Sequence, residues 1–105
     1  MTVTPLDPER AVERGADGDT VVLTVRGCLD GAAGAALVQA AAEATQAAAA
    51  RIDIDLCGVT GFTPEGARWL LRCRRLSAQL PGGLHYRTGR GAGQEALLVA
   101  YADEA

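Results

Sequence analysis

Two alternating segments, one on each side of a long alanine-rich stretch, most constrain how this chain can fold. In TVVLTVRG, residues 20–27, Val21, Leu23 and Val25 alternate with other side chains, as is typical of a strand with one buried face. In RIDIDL, residues 51–56, isoleucine and leucine alternate with aspartate, so this strand cannot be apolar on both faces. We therefore expect one face of the sheet to meet water.

The stretch between these strands predicts a helix that begins after Asp30. An aspartate in that position can cap the helix by accepting a backbone N–H, and the alanines that follow have the highest helix propensity of any residue. One face of the helix can be shared by Leu37, Val38, Ala41, Ala44 and Ala48. The order strand, helix, strand implies a right-handed crossover that leaves the two strands parallel.

The remaining elements are shorter. Residues 10–14 are a weak strand candidate, GADGD at 15–19 has the composition of a turn, and GVTGF at 58–62 is interpreted as a connection. Residues 64–80 predict a second helix. Its core side is formed by Gly66, Trp69, Leu70, Cys73, Leu76, Ser77 and Leu80.

The C-terminal part and the domain limits follow from the same patterns. LHYRT, residues 84–88, predicts a short strand, and residues 94–101 predict a last helix behind a glycine-rich loop. Residues 1–8 contain two prolines and no period, which indicates a loose arm, so residues 9–105 are expected to form a single domain.

Charge and cysteine content exclude several classes of protein. The net charge of −3 argues against an electrostatic grip on nucleic acid or anionic lipid. Neither a signal peptide nor a membrane-inserting segment is evident, so we expect a cytoplasmic protein with reduced thiols. Cys28 and Cys57 fall near the carboxyl ends of neighbouring strands. Because the lone histidine, His85, lies on another strand, we predict buried small side chains rather than a disulfide or a metal site.

The segment GFTPEG, residues 61–66, has the signals of a helix start. Thr63 can cap the helix, Pro64 suits the first helical position because no donor is needed there, and Glu65 places negative charge at the positive end of the helix dipole. This account is complete without any function.

The motifs of the chain resemble those of the STAS domain, the fold of the bacterial anti-sigma factor antagonists. VVLTVRGCLD at 21–30 is similar to the family strand that ends in L-x-G-x-L-D, and IDIDLCGVTGF at 52–62 is similar to its strand with D-L-x-x-V. TPEGARWLLRCRRL stands where the family has D-S-S-G and an amphipathic helix. The resemblance implies an α/β fold: a single mixed sheet of about four strands with helices packed mainly on one face.

The resemblance also implies a switch. In the family, the serine before the glycine of D-S-S-G is phosphorylated by an ATP-binding anti-sigma kinase, which turns off binding to that kinase. Here Thr63 stands at the aspartate, Pro64 at the first serine, Glu65 at the phospho-acceptor and Gly66 at the glycine. Three interpretations of Glu65 remain open. It is only a helix-start residue, or it is a permanent substitute for phosphoserine, or Thr63 or Thr60 has become the acceptor.

The second helix and its N-terminal loop form the partner surface in the family. We therefore assign Asp30, Arg68, Leu71, Arg72 and Arg75 to a protein-binding surface, with Leu71 as a small apolar anchor among arginines for an acidic groove. The alternative is that the arginines form a solvated face.

Two further patterns resemble functional sites, but neither fits the requirements of one. TGRGAG at 88–93 fails the dinucleotide spacing, so a tight turn is favoured over a weak phosphate site at Arg90. Asp53 and Asp55 share a side of their strand, but no nucleophile and base accompany them. We therefore predict no enzyme, no catalytic residue, no cofactor and no metal.

The sequence thus predicts a non-enzymatic regulatory module that resembles an anti-sigma factor antagonist and binds a protein partner. One alternative is a STAS accessory subunit of a membrane lipid-transport complex, which likewise works without phosphorylation. A weak nucleotide-binding module is the other.

Overall fold

The chain folds as a mixed α/β domain with an open sheet of four strands and three helices. The computed structural model describes residues 12–104. In chain order the elements are β1 (Val12–Asp17), β2 (Thr20–Leu29), α1 (Gly31–Gln46), β3 (Arg51–Phe62), α2 (Pro64–Leu76), β4 (Leu84–Arg87) and α3 (Ala92–Glu104). The predicted fold class is confirmed. The predicted arm at residues 1–8 lies outside the described residues.

The strands lie side by side in the order β1-β2-β3-β4. β1 is antiparallel to β2, whereas β2, β3 and β4 are parallel to one another. The pairing of β2 and β3 around α1 confirms that the two strands are parallel, as expected from the sequence.

The core lies between the sheet and the helices. The alternating residues of β2 and β3 predicted to face inward are buried, and α1 contributes Leu37, Ala41 and Ala44 to the same cluster. α2 contributes Ala67, Leu70 and Cys73, and α3 contributes Ala96 and Ala100. The aspartates of β3 point the other way and are half-buried.

Several boundaries differ from the sequence prediction. Residues 15–17 belong to β1, and the turn is confined to Gly18 and Asp19. Residues 58–62, predicted as a connection, complete β3, because Gly58 to Phe62 continue the pairing with β2 across two register shifts. The glycines that suggested a loop accompany these irregularities of the ladder.

Two of the helices, α1 and α2, end earlier than predicted. α1 ends at Gln46, so Ala48 lies outside it with a φ of 63° and is exposed rather than part of the apolar face. α2 ends at Leu76 instead of Leu80. Leu76 is 38% exposed, so it belongs to the surface rather than to the predicted core side.

Candidate functional site

Two helix N-termini lie side by side at the carboxyl end of the sheet. Leu29 and Phe62 are paired where β2 and β3 end, and each is followed by a residue that caps a helix. Asp30 caps α1, since its Oδ1 accepts the N–H of Ala33 at 2.9 Å. Thr63 caps α2 in the same way. The equivalent register of two parallel strands therefore brings the positive ends of two helix dipoles together.

The start of α2 is fixed to the end of β2 through Thr63. The Thr63 N–H donates to the carbonyl of Leu29 at 3.1 Å, and its Oγ1 accepts the N–H of Gly66 at 3.0 Å. Pro64 is the first helical residue and is exposed. The predicted roles of Thr63 as cap and Pro64 as first residue are confirmed.

Gly66 places the first turn of α2 directly against the end of β2. It is buried, and a Cβ placed on it would lie 2.0 Å from the carbonyl oxygen of Leu29. No side chain fits there unless the backbone moves. The glycine of the predicted switch segment therefore has a structural reason of its own.

Glu65 is exposed, and its carboxylate lies over the first residue of α1. A Cβ built on Gly31 would meet Glu65 Oε2 at 2.7 Å. The negative charge thus lies next to the N-terminus of α1 while belonging to the first turn of α2. Both helix ends favour an anion in this place.

Gly31 and Gly34 are site residues that the sequence analysis did not identify. A Cβ on Gly34 would lie 2.3 Å from Cδ1 of Trp69, so the indole packs directly on α1. The guanidinium of Arg72 lies over the same indole, 5.3 Å from its centre. The signal was present in the sequence: two glycines three residues apart in an alanine-rich helix mark a face where a neighbour approaches closely.

The predicted partner surface is only partly as expected. Arg68, Arg72 and Arg75 are exposed, as is Asp30. Leu71 is half-buried and packs against the core cluster, so only part of its side chain is accessible, and its role as an apolar anchor stays a prediction. The sequence pattern could not show that α2 is covered on more than one side, by α1 and by α3.

The cysteine prediction is wrong for two of the three residues. Cys28 and Cys57 are exposed, and only Cys73 is buried. Cys28 pairs with Gly61, four residues further along β3 than Cys57, so the two thiols are not brought together. Among the described residues, no group of three histidine, cysteine, aspartate or glutamate side chains is placed to hold a metal.

Cys57 and Asp55 influence each other's titration. The backbone N–H of Cys57 donates to Asp55 Oδ1 at 2.9 Å, and this hydrogen bond is the main reason that the pKa of Asp55 is lowered. The interaction of the thiol with the same carboxylate raises the pKa of Cys57. An exposed thiol with a raised pKa is a poor nucleophile at neutral pH.

The loop before α3 is explained by packing. Gly93 is buried, and a Cβ on it would lie 2.3 Å from the carbonyl oxygen of Leu56. Gly91 has a φ of 122°, which L side chains rarely adopt. The close approach at Gly93 and the positive φ at Gly91 account for two of the three glycines of the 88–93 segment, in line with the tight turn favoured from the sequence. A weak phosphate site at Arg90 stays the less favoured alternative.

The fold is similar to those of known regulatory domains. An anti-sigma factor antagonist from Mycobacterium paratuberculosis matches with a TM-score of 0.73 and 18% identity over 89% of this chain and 79% of that chain. The anti-sigma factor antagonist SpoIIAA in its unphosphorylated form matches with a TM-score of 0.62 and 17% identity over 83% and 94%. At these identities the likeness shows the fold.

A larger protein contains the same fold. The structure of Mglu matches with a TM-score of 0.69 and 20% identity over 80% of this chain, which spans only 21% of that protein. Among curated protein sequences, none matches this chain. Within residues 12–104, no helix is both long enough and apolar enough to cross a membrane.

The class is therefore that of small α/β domains with the anti-sigma factor antagonist fold. The sequence profile of the family described as "Mlab, STAS domain" matches residues 12–104. The chain belongs to the STAS domain family, as its motifs predicted.

Proposed function

We propose that this protein is a non-enzymatic regulatory module that binds a protein partner, as an anti-sigma factor antagonist does. Its switch is the start of α2, Thr63–Gly66, where Glu65 replaces a phosphorylatable serine. The observation that carries the proposal is the position of Glu65 Oε2, which would lie 2.7 Å from a Cβ on Gly31. The family membership and the anti-sigma antagonist fold support it.

The charge of Glu65 occupies the place where a phosphate on residue 65 would be favoured. A phosphoserine brings a charge of about −1.5 to −2 at neutral pH, and a helix N-terminus stabilises such an anion. Here two helix N-termini are adjacent, and Glu65 supplies a permanent charge of about −1. The domain is thereby held in a form equivalent to the phosphorylated one, which does not engage a kinase.

The binding surface we assign runs from Asp30 along the outer side of α2. Arg68, Arg72 and Arg75 give it positive charge on a chain whose net charge is −3. Such a surface suits an acidic partner, because exposed arginines steer association and form paired hydrogen bonds with carboxylates. Leu71 contributes only the part of its side chain that is not packed against the core. The family's partner, an ATP-binding anti-sigma kinase of the cytoplasm, is expected to bind this surface only weakly while Glu65 is present.

The test is affinity co-purification from the source cell of wild type, Glu65→Ser and Glu65→Gln, followed by mass spectrometry. We expect an ATP-binding kinase to be captured more strongly by Glu65→Ser and Glu65→Gln, because both remove the permanent charge. Equal capture of the same non-kinase partner by all three proteins would leave Glu65 as a helix-start residue only. Capture of a membrane transport complex would favour the accessory-subunit alternative.

A second experiment tests whether a threonine has become the acceptor in place of residue 65. The purified proteins are incubated with ATP and the captured kinase, and the intact masses are measured. We expect Glu65→Ser to gain one phosphate and wild type to gain none. A phosphate on wild type would instead favour a threonine as the acceptor, and peptide mapping would show whether it is Thr60 or Thr63.

A further inference from the structure

β4 lies at one end of the strand order, and β1 lies at the other end. In the part of the chain that the structure describes, β3 is the one strand neighbour of β4. An edge strand keeps a row of backbone N–H and C=O groups with which another strand can pair. β4 has only four residues, so what can pair with it depends strongly on its side chains.

The register between β3 and β4 shows which sequence pattern complements β4. The apolar pairs are Ile52 with Leu84 and Ile54 with Tyr86, and the charged or polar pairs are Asp53 with His85 and Asp55 with Arg87. A strand in which apolar residues alternate with acidic ones therefore matches β4 on both faces. Opposite charges directly across a ladder stabilise it, and like charges destabilise it.

An apolar groove adjoins this edge on the side of the helices. It has a volume of about 510 Å³ and is lined by Leu84, His85 and Tyr86 of β4, by Leu97, Leu98 and Tyr101 of α3, and by Arg74 of α2. Leu98 is a large apolar side chain and yet is 64% exposed. Because residues opposite each other on neighbouring strands share a face, a strand added beside β4 would direct one set of side chains into the groove.

We propose that the free edge of β4 binds an extended segment of a partner protein in which apolar residues alternate with aspartate or glutamate. The apolar residues enter the groove beside Leu98, and an acidic residue faces Arg87 on the other side of the sheet. The backbone of the segment continues the ladder. This surface is separate from the start of α2, and the proposal does not depend on the function proposed for Glu65.

A second copy of this chain fits the edge less well. An antiparallel pairing of two β4 strands that keeps their apolar sides together places either His85 or Gly83 of one copy opposite Arg87 of the other. In neither register does Arg87 meet a carboxylate, so a second copy lacks the ion pair that an acidic segment would form with Arg87. Charge complementarity therefore selects an acidic partner.

The probe is the acetylated, amidated peptide RIDIDL, which has the sequence of residues 51–56, and the control is RIKIKL. Binding to the whole chain is followed by amide shifts in NMR. We expect RIDIDL to shift residues 84–87 and 97–101 and to bind about tenfold more tightly than RIKIKL. RIDIDL with N-methyl groups on alternate amides should not bind, because the ladder cannot form.

Two variants test the groove and the charge separately. Leu98→Asp changes an exposed residue, so the melting temperature should stay close to that of wild type while RIDIDL binding falls by about tenfold or more. Arg87→Glu should reverse the preference in favour of RIKIKL. Absence of shifts at residues 84–87, or equal binding of the two peptides by wild type, would overturn the proposal. A concentration-dependent dimer that Leu98→Asp abolishes would also overturn it and assign the edge to a second copy.

Discussion

The carbonyl oxygen of Leu29 lies 2.0 Å from the position that a Cβ on Gly66 would occupy. The same oxygen accepts the N–H of Thr63 at 3.1 Å, so it cannot move away without breaking that hydrogen bond. Gly66→Ala should therefore lower the free energy of unfolding by about 3 kcal/mol, since backbone has to yield to the new methyl group. Urea denaturation measures this change.

The matched control for Gly66→Ala is Gly61→Ala. A Cβ on Gly61, five residues earlier, meets no atom within 4 Å. We expect its free energy of unfolding to stay within about 0.5 kcal/mol of wild type. Equal losses in the two variants would mean that contact with Leu29 does not set the position of α2.

Thr63→Ala removes the side-chain cap of α2. Gly66 N–H then loses its acceptor, and the free energy of unfolding should fall by about 1 kcal/mol. Thr63→Ser keeps the hydroxyl and should retain most of that stability. Chemical denaturation of wild type and the two variants measures these changes. A loss of stability as large in Thr63→Ser as in Thr63→Ala would show that the hydroxyl is not the cause.

Gly31→Ala should displace the carboxylate of Glu65 without unfolding the domain. The new methyl group meets the end of a flexible exposed side chain rather than backbone, so the free energy of unfolding should change by no more than about 0.5 kcal/mol. Partner capture should change in the same direction as in Glu65→Gln. The double variant should then capture no more than Glu65→Gln alone, whereas additive effects would show that the two residues act independently.

The thiols should differ in their rates of alkylation by iodoacetamide near pH 8. Cys73 is buried and should react only on unfolding, whereas Cys28 is exposed and should react readily. Cys57 is exposed, but Asp55 raises its pKa and so lowers the fraction present as thiolate. Asp55→Asn should therefore speed alkylation of Cys57 and leave Cys28 unchanged. Peptide mapping at timed intervals measures each rate, and an unchanged rate at Cys57 would contradict the role of Asp55.

Local patterns determined much of this fold in advance. The alternation in residues 20–27 and 51–56, the cap at Asp30 and the helix start at Thr63 depend on neighbouring residues alone, and the structure has each of them. The extension of β3 through residue 62 could not be predicted in this way, because it depends on pairing with β2 across register shifts.

The site was predictable only in part for the same reason. The sequence identified Glu65 at a helix start, but its contact with Gly31 depends on α1 and α2 beginning at equivalent places on two parallel strands. The burial of Leu71 likewise depends on what covers α2, which no helical wheel contains. Local sequence patterns identified these residues, whereas tertiary packing determines which residues they contact.

The stability of the domain should fall as the pH rises above about 9. Burial raises the pKa of Cys73 from its ordinary value of 9.0 to about 12 in the folded protein. Above pH 9 the unfolded chain loses this proton while the folded protein keeps it, so deprotonation favours unfolding. The stability contributed by the neutral thiol is thus fully present below pH 9 and is lost as the pH rises toward 12.

Tyr86 should add to this loss at slightly higher pH. Its pKa is also raised by burial, and its hydroxyl donates to the carbonyl of Leu70. Each group contributes a slope of up to about 1.4 kcal/mol per pH unit once its unfolded form has ionised. Between pH 9 and 11, the free energy of unfolding of Cys73→Ala should therefore fall less steeply with pH than that of wild type, by the equivalent of about one proton. We expect this even though Cys73→Ala is less stable than wild type at neutral pH. Denaturation series at several pH values give both slopes, and parallel curves for wild type and Cys73→Ala would show that the thiol is not the group that ionises on unfolding.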